Sequence, residues 1–245
     1  MAKSGNVNTA ELQAALDQGM ANLMRFWSQA SQAEIAYGVA WYATANKDCK
    51  TLSSRYGIGL ETLIRVVAVL SPQLRWSHNV AAAEIIVRYY VSGGYIPAIS
   101  RYYSKESTLV ELGRELSHIK MGCNVTGTNK IKALWILQGY GSMLRGPKVE
   151  RFFDNIHKFM TSGEVTVDSH AILAWLGRID SASVALGAPS FYSIIAADYC
   201  KAAEMVGLSG LEFQAVVWIV RRRLAESDKR DFALNIEDLN EVGLS

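Results

Sequence analysis

Three short segments carry residue types able to do chemistry together. Leu144-Arg145-Gly146-Pro147-Lys148-Val149 reads as a tight hairpin entering a helix. Gly146 offers a position that tolerates positive φ. Pro147 suits a first helical residue, because its missing N–H would have no partner there. The amides that follow, with the Lys148 charge beside them, can bind a phosphate oxygen. Twenty-two residues after Gly146 comes Val167-Asp168-Ser169-His170, which places one carboxylate at the start of another helix. Asp168 is a natural N-cap there. A fixed carboxylate can also stabilise the positive charge that builds on a deoxyribose as its base departs, and can orient water. The two roles are compatible. The third segment, Leu70-Ser71-Pro72-Gln73-Leu74-Arg75-Trp76, presents an amide, a cation and an aromatic ring where a helix ends. Gln73 can pair with the base left opposite an extruded nucleotide, while an aromatic or apolar group props the stack. Each segment also has a plain structural reading: a helix–turn–helix corner, a cap, and a surface turn with Trp76 in the core.

The elements that must hold these segments are helical almost throughout. Leu12, Leu16, Met20 and Leu23 recur at three- and four-residue steps. Ile35 to Tyr42 reads as a buried helix. Further helices are expected at Leu60–Leu70, Ser77–Val91, Ser107–Ser117, Asn129–Gln138 and Pro147–Met160, from Asp168 onward, and at Tyr192–Met205. Ser71-Pro72 breaks the first of these, since proline cannot continue the ladder, and Gly93-Gly94 ends the second. Ser209 and Glu212 form a capping-box pattern opening a last helix that runs to Arg221-Arg222-Arg223. Those charges suit either a helix C-terminus or a phosphate contact. Val165-Thr166-Val167 is a short extended connection. Strand-like alternation is almost absent, so the expected fold class is all-α.

Composition narrows the classes. A chain of 245 residues can hold one large domain or two small subdomains. It is 50% hydrophobic and 20% charged, the balance of a globular protein. The net charge of +2 says little about partners. From Lys120 to Lys158, however, seven cations stand against two anions, Glu150 and Asp154. Such a bias suits a phosphate backbone, or is an ordinary solvated helix face. Cys49, Cys123 and Cys200 form no Cys-x-x-Cys pair, so no metal site is expected and a reducing cytosol is. Met1 to Asn6 lacks an apolar targeting core, and the run Ala215–Val220 is too short to span a bilayer, so no membrane partner is expected.

In their order and spacing the segments resemble motifs of the helix-hairpin-helix DNA glycosylase superfamily, the group of endonuclease III and the adenine and 8-oxoguanine glycosylases. The resemblance covers Leu60 to Arg178, about half of the chain. Leu70-Ser71-Pro72-Gln73 is similar to that family's Leu-Ser-x-Gln loop. Asn129-Lys130-Ile131-Lys132-Ala133 resembles its Asn-x-Lys-Ala segment, and Leu144-Arg145-Gly146-Pro147-Lys148 its Leu-Pro-Gly-Val-Gly hairpin. Val167-Asp168-Ser169-His170 resembles Val-Asp-Thr-His, whose aspartate is the family's catalytic acid. The resemblance implies two helical subdomains flanking a cleft. Residues 54–160 would form the contiguous subdomain with the hairpin, and residues 1–53 would pack with 161–245. It implies double-stranded DNA with an extruded base as partner, no cofactor, and a monomer in the cytoplasm, nucleoid-associated or in a virus-infected host cell. Asp168 would be catalytic. Gln73, Arg75, Lys130, Gly146, Lys148 and Val149 would contact DNA, and Trp76, Trp135, Tyr140, His170 and Glu150 would line the base pocket.

The departures shape the expected reaction. Lys148 replaces the second hairpin glycine. Glu150 stands where bifunctional members carry a Schiff-base lysine, so strand cleavage by β-elimination is not implied. The family's cysteine cluster is missing, and Gly139 to Met143 is a short approach to the hairpin. The expected activity is therefore monofunctional cleavage of the N-glycosidic bond. The alternatives are modification of a 5-hydroxymethylpyrimidine within DNA, as in predicted viral proteins of similar scaffold, and a non-catalytic DNA-binding module.

Overall fold

In a computed structural model of the chain, the described residues are 9–72, 74–104, 107–179 and 189–227. Among them the protein is all-α, without a strand. The chain divides into two units, a contiguous one, Ala45–His157, and one built from the residues up to Thr44 and from Lys158 onward.

In the contiguous unit, α3 (Leu60–Leu70) is apolar on nearly every side, with Leu63, Ile64, Val66, Val67 and Leu70 all buried. A helix of this kind has to be surrounded. It packs against α4 (Trp76–Val91), α7 (Gly127–Leu137) and α8 (Pro147–His157). The short α5 (Ile99–Tyr103) and α6 (Leu109–Glu115) complete this unit. Thr108 and Glu111 cap α6 reciprocally, and Thr126 accepts from the Asn129 amide to start α7. The helices α6 and α7 meet at Gly113 and Gly127, where a Cβ on either residue would fall on the backbone of the other.

In the other unit, α1 (Thr9–Trp27), α9 (Ser169–Trp175), α10 (Pro189–Met205) and α11 (Gly210–Ser227) enclose a core that includes Leu23, Phe26, Trp175, Tyr199 and Phe213. Burying one such large side chain contributes about 1.5–3 kcal/mol. The first part of α2 (Gln32–Tyr56) crosses α11 closely, because a Cβ on Gly38 would lie 2.9 Å from the Val216 backbone. Arg223 ties the same two helices, its Nε donating to Glu34 Oε1 at 2.6 Å. Burial alone would push Glu34 up. The Arg223 guanidinium, with the Ser31 amide and hydroxyl, outweighs burial and holds the carboxyl below its usual value.

Several elements differ from the sequence expectation. The helix expected from Ile35 to Tyr42 continues to Tyr56. Its later apolar positions, Ala45, Cys49 and Leu52, keep helical spacing but are diluted by small polar residues. The helix α5 was not anticipated. The last helix does not end at its arginines but runs on to Ser227, so Arg221 and Arg223 serve packing and pairing rather than a terminal dipole.

Two outcomes follow. Replacing Gly113 with Ala forces α6 and α7 apart and lowers the unfolding free energy by about 1–3 kcal/mol in urea titration. Replacing Glu34 with Gln costs about 1 kcal/mol at pH 7. Because the folded state holds Glu34 more acidic than the unfolded chain does, that difference fades as pH falls through the depressed carboxyl value, and is gone once Glu34 is protonated in both states.

Candidate functional site

The hairpin forms as its residue types require. The helix α7 ends at Leu137, one 3₁₀ turn spans Gly141–Met143, and Gly146 takes a left-handed φ of 102° immediately before Pro147 opens α8. The amides here are less available than expected. Gly146 N–H donates to Glu150 Oε1 at 3.1 Å. The Val149 and Glu150 amides both donate to the Gly146 carbonyl, at 3.1 and 3.0 Å. Pro147 has no N–H. That leaves the Arg145 and Lys148 amides as the hairpin donors without an acceptor among the described residues. The helix end is thus capped by its own carboxylate, and Glu150 occupies the place expected for an anion rather than a base pocket. Lys148 and Val149 are half-buried, while Arg145, Gly146 and Glu150 are exposed.

Other expected residues of this unit fall into two groups. Arg75 is exposed as the N-cap of α4, and Tyr140 is exposed. Gln73 lies outside the described residues. Trp76 is half-buried and its Nε1 donates to Asp48 Oδ2 at 2.8 Å. Lys130 and Trp135 do not belong to a DNA surface or a pocket. Trp135 is 0% exposed and donates from Nε1 to the Pro97 carbonyl at 2.8 Å. Lys130 is buried and its Nζ donates to the Ile119 carbonyl at 2.6 Å, tying the loop before α7 to that helix. Burial, and then the nearby Lys120 charge, push the Lys130 ammonium below its usual value. Both residues sit on an α7 with almost no solvent face, so tertiary packing overrides their polar ends.

In the other unit the path to Asp168 is fixed before the helix begins. Val165, Thr166 and Val167 are buried outside any helix. Buried backbone outside a helix needs partners, and the Tyr192 hydroxyl supplies two, accepting from Val167 N at 3.1 Å and donating to the Val165 carbonyl at 3.0 Å. Asp168 then adopts the extended N-cap conformation, φ −106° and ψ −176°. Its Oδ1 accepts from the Ala171 amide at 2.8 Å. Its Oδ2 has no hydrogen-bond partner among the described residues, and the side chain is half-buried.

Around this corner stand Tyr199 and Trp218, which the sequence reading did not assign, together with the expected pocket residue His170 and with Arg221 and Arg222. Tyr199 is fully buried and donates to the Ala171 carbonyl at 3.2 Å. Burial first, and the Asp168 charge second, push its phenol well above the usual value, so it remains a neutral donor. Arg221 is 1% exposed. Its Nε donates to the Arg178 carbonyl at 3.1 Å, and one terminal nitrogen lies 2.6 Å from His170 Nδ1. The His170 ring meets Trp218 edge-on, with centroids 5.9 Å apart, and Arg222 lies over the Trp218 ring at 5.0 Å. One signal was legible: Arg221 falls in step with Phe213, Val217 and Leu224 on the inward face of α11. Among the described residues, no three His, Cys, Asp or Glu side chains group as metal ligands, and no single helix is long and apolar enough to cross a membrane.

Over residues 6–225 the chain matches a family of unknown function, DUF7178, and belongs to it. No curated protein and no solved structure matches the chain.

The capping role of Asp168 separates from any chemical role by substitution. Asp168→Ala removes the acceptor for the Ala171 amide and lowers stability by about 1 kcal/mol in denaturant titration, whereas Asp168→Asn keeps a capping oxygen and stays within about 0.5 kcal/mol of the parent.

Proposed function

We propose that the chain is a DNA base-processing enzyme of the helix-hairpin-helix glycosylase type. In this reading it hydrolyses the N-glycosidic bond of an extruded nucleotide. The C1′–N bond breaks, water oxygen adds to C1′, and the base leaves protonated, so the product strand keeps an abasic site. Asp168 is the carboxylate that faces the developing sugar cation.

The observation that carries the reading is the division of labour within this one carboxylate. Oδ1 is spent on the Ala171 amide, which fixes the group's position, and Oδ2 remains unpartnered among the described residues. A preorganised charge of this kind stabilises a transition state without having to reorganise as the reaction proceeds. The left-handed Gly146 followed by Pro147 at a helix start supports the same reading, since this is the geometry a phosphate-gripping hairpin uses. DNA engagement then exchanges Glu150 for a phosphate oxygen at the Gly146 amide, with the Lys148 amide and side chain as the added donors. Without a lysine in the position held by Glu150, no Schiff base forms there and the abasic strand stays uncut.

The test is incubation with duplexes carrying uracil, 8-oxoguanine, 5-hydroxymethyluracil, alkylated or mismatched bases, read as free base by mass spectrometry and as alkali-labile sites by gel. At least one lesion yields a free base with the parent chain, and Asp168→Asn lowers that rate by about 10²–10³-fold or more. Release at equal rates from both proteins, or from no duplex at all, overturns the proposal. An intact strand bearing a heavier base replaces excision with base modification.

A further inference from the structure

We propose that Arg221 is a positioning residue of the Asp168 corner: it locks His170 in the neutral tautomer that carries its proton on Nε2, and so removes that imidazole from proton transfer. A histidine two residues after a reaction carboxylate would ordinarily be read as its acid–base partner. The geometry here excludes that role.

The argument begins with donor inventory. A guanidinium has five N–H donors, no acceptor, and does not give up its proton in a protein. A ring atom 2.6 Å from its terminal nitrogen is therefore a hydrogen-bond acceptor. A ring carbon cannot approach so closely, so the ring orientation is settled as well. His170 Nδ1 must carry its lone pair, which leaves the single proton on Nε2, where the ring only donates. Protonating Nδ1 would set an N–H against an N–H and place two cations in contact. Arg221 cannot easily retreat from that contact, because it is 1% exposed and its Nε is held by the Arg178 carbonyl at 3.1 Å.

The surroundings reinforce the lock. Asp168 lies on the segment of His170 itself, neutral Tyr199 comes from α10, and Arg221 and Arg222 come from α11. Arg222 lies over Trp218, whose ring abuts His170. Cations approach the imidazole through α11, and Asp168 has one oxygen committed to its cap. The catalytic consequence rests on the reading of Asp168 as the reaction carboxylate. The lock itself does not depend on that reading.

The experiment is long-range ¹H–¹⁵N NMR of the histidine side chains of the full chain across a pH series, with His170 assigned among the four histidines by His170→Gln. His170 is expected to show the neutral Nε2–H pattern and to hold it down to about pH 5, where an ordinary imidazole of pKa about 6.5 is already protonated. Arg221→Gln keeps a donor but loses the charge, and lets His170 take a second proton at a higher pH than in the parent chain. Arg221→Met removes both and also frees the tautomer. A parent chain in which His170 titrates near the ordinary value, or carries its proton on Nδ1, overturns the proposal whether or not the variants fold. The second arm is the pH profile of base release. Arg221→Gln gains a limb that the parent lacks, with kcat affected more than KM. A held tautomer with no base release from any duplex sinks the glycosylase reading and leaves the lock standing. Base release with a titrating His170 does the reverse.

Discussion

One hydrogen bond, from the Ala171 amide to Asp168 Oδ1 at 2.8 Å, organises the start of α9 in the discontinuous unit. It follows the buried run 165–167 and begins α9. The same bond leaves a carboxylate with one oxygen immobilised and the other unpartnered among the described residues. In the proposed reaction a free aspartate side chain would have to lose rotamer freedom as charge develops on the sugar. Here that freedom is lost when the chain folds, and the cap recovers part of its cost.

A seven-residue helix such as α9 cannot persist by itself, because nucleation is unfavourable and few intrahelical bonds follow it. Its persistence comes from tertiary ties at both ends. Upstream, Tyr192 holds the backbone of residues 165 and 167. Downstream, Asn22 donates to the Trp175 carbonyl at 3.0 Å, Arg25 donates to the Gly177 carbonyl at 2.8 Å, and the Trp175 indole donates to Asp198 at 2.8 Å. Gly19 lets α1 lie directly against the Trp175 ring, where a Cβ would clash. The precision of Asp168 is therefore a property of α1, α10 and α11 as much as of its own segment.

The parts of this architecture that were legible in the sequence are those governed by local chemistry. Leu60–Leu70 was bounded by a proline that cannot continue a helix, and α3 has those bounds. Pro147 as a first helical residue, Gly146 at positive φ and Asp168 as a cap follow from the conformations those residues favour. At the last helix, Glu212 reaches back to the Ser209 amide at 2.9 Å, as the capping pattern implied. What was not legible depends on how side chains turn and pack once the helices are formed. Nothing local marks Lys130 as buried against the Ile119 carbonyl or Trp135 as sealed against Pro97. Nor does anything near Gly146 show that Glu150 would turn back to take its amide. Arg221 carries a charge that local reading places at a surface, and only the inward register of α11 puts it inside.

The central claim is that the Asp168 carboxylate meets a positive charge on the sugar, and it can be tested without knowing which base is recognised. The measurement is the affinity of the chain for two otherwise identical duplexes, one with a cationic pyrrolidine abasic mimic and one with a neutral tetrahydrofuran mimic. The account predicts binding at least about 10²-fold tighter to the cationic duplex, as for a transition-state analogue, and loss of that preference in Asp168→Asn. Equal affinity of the parent chain for both duplexes would contradict it.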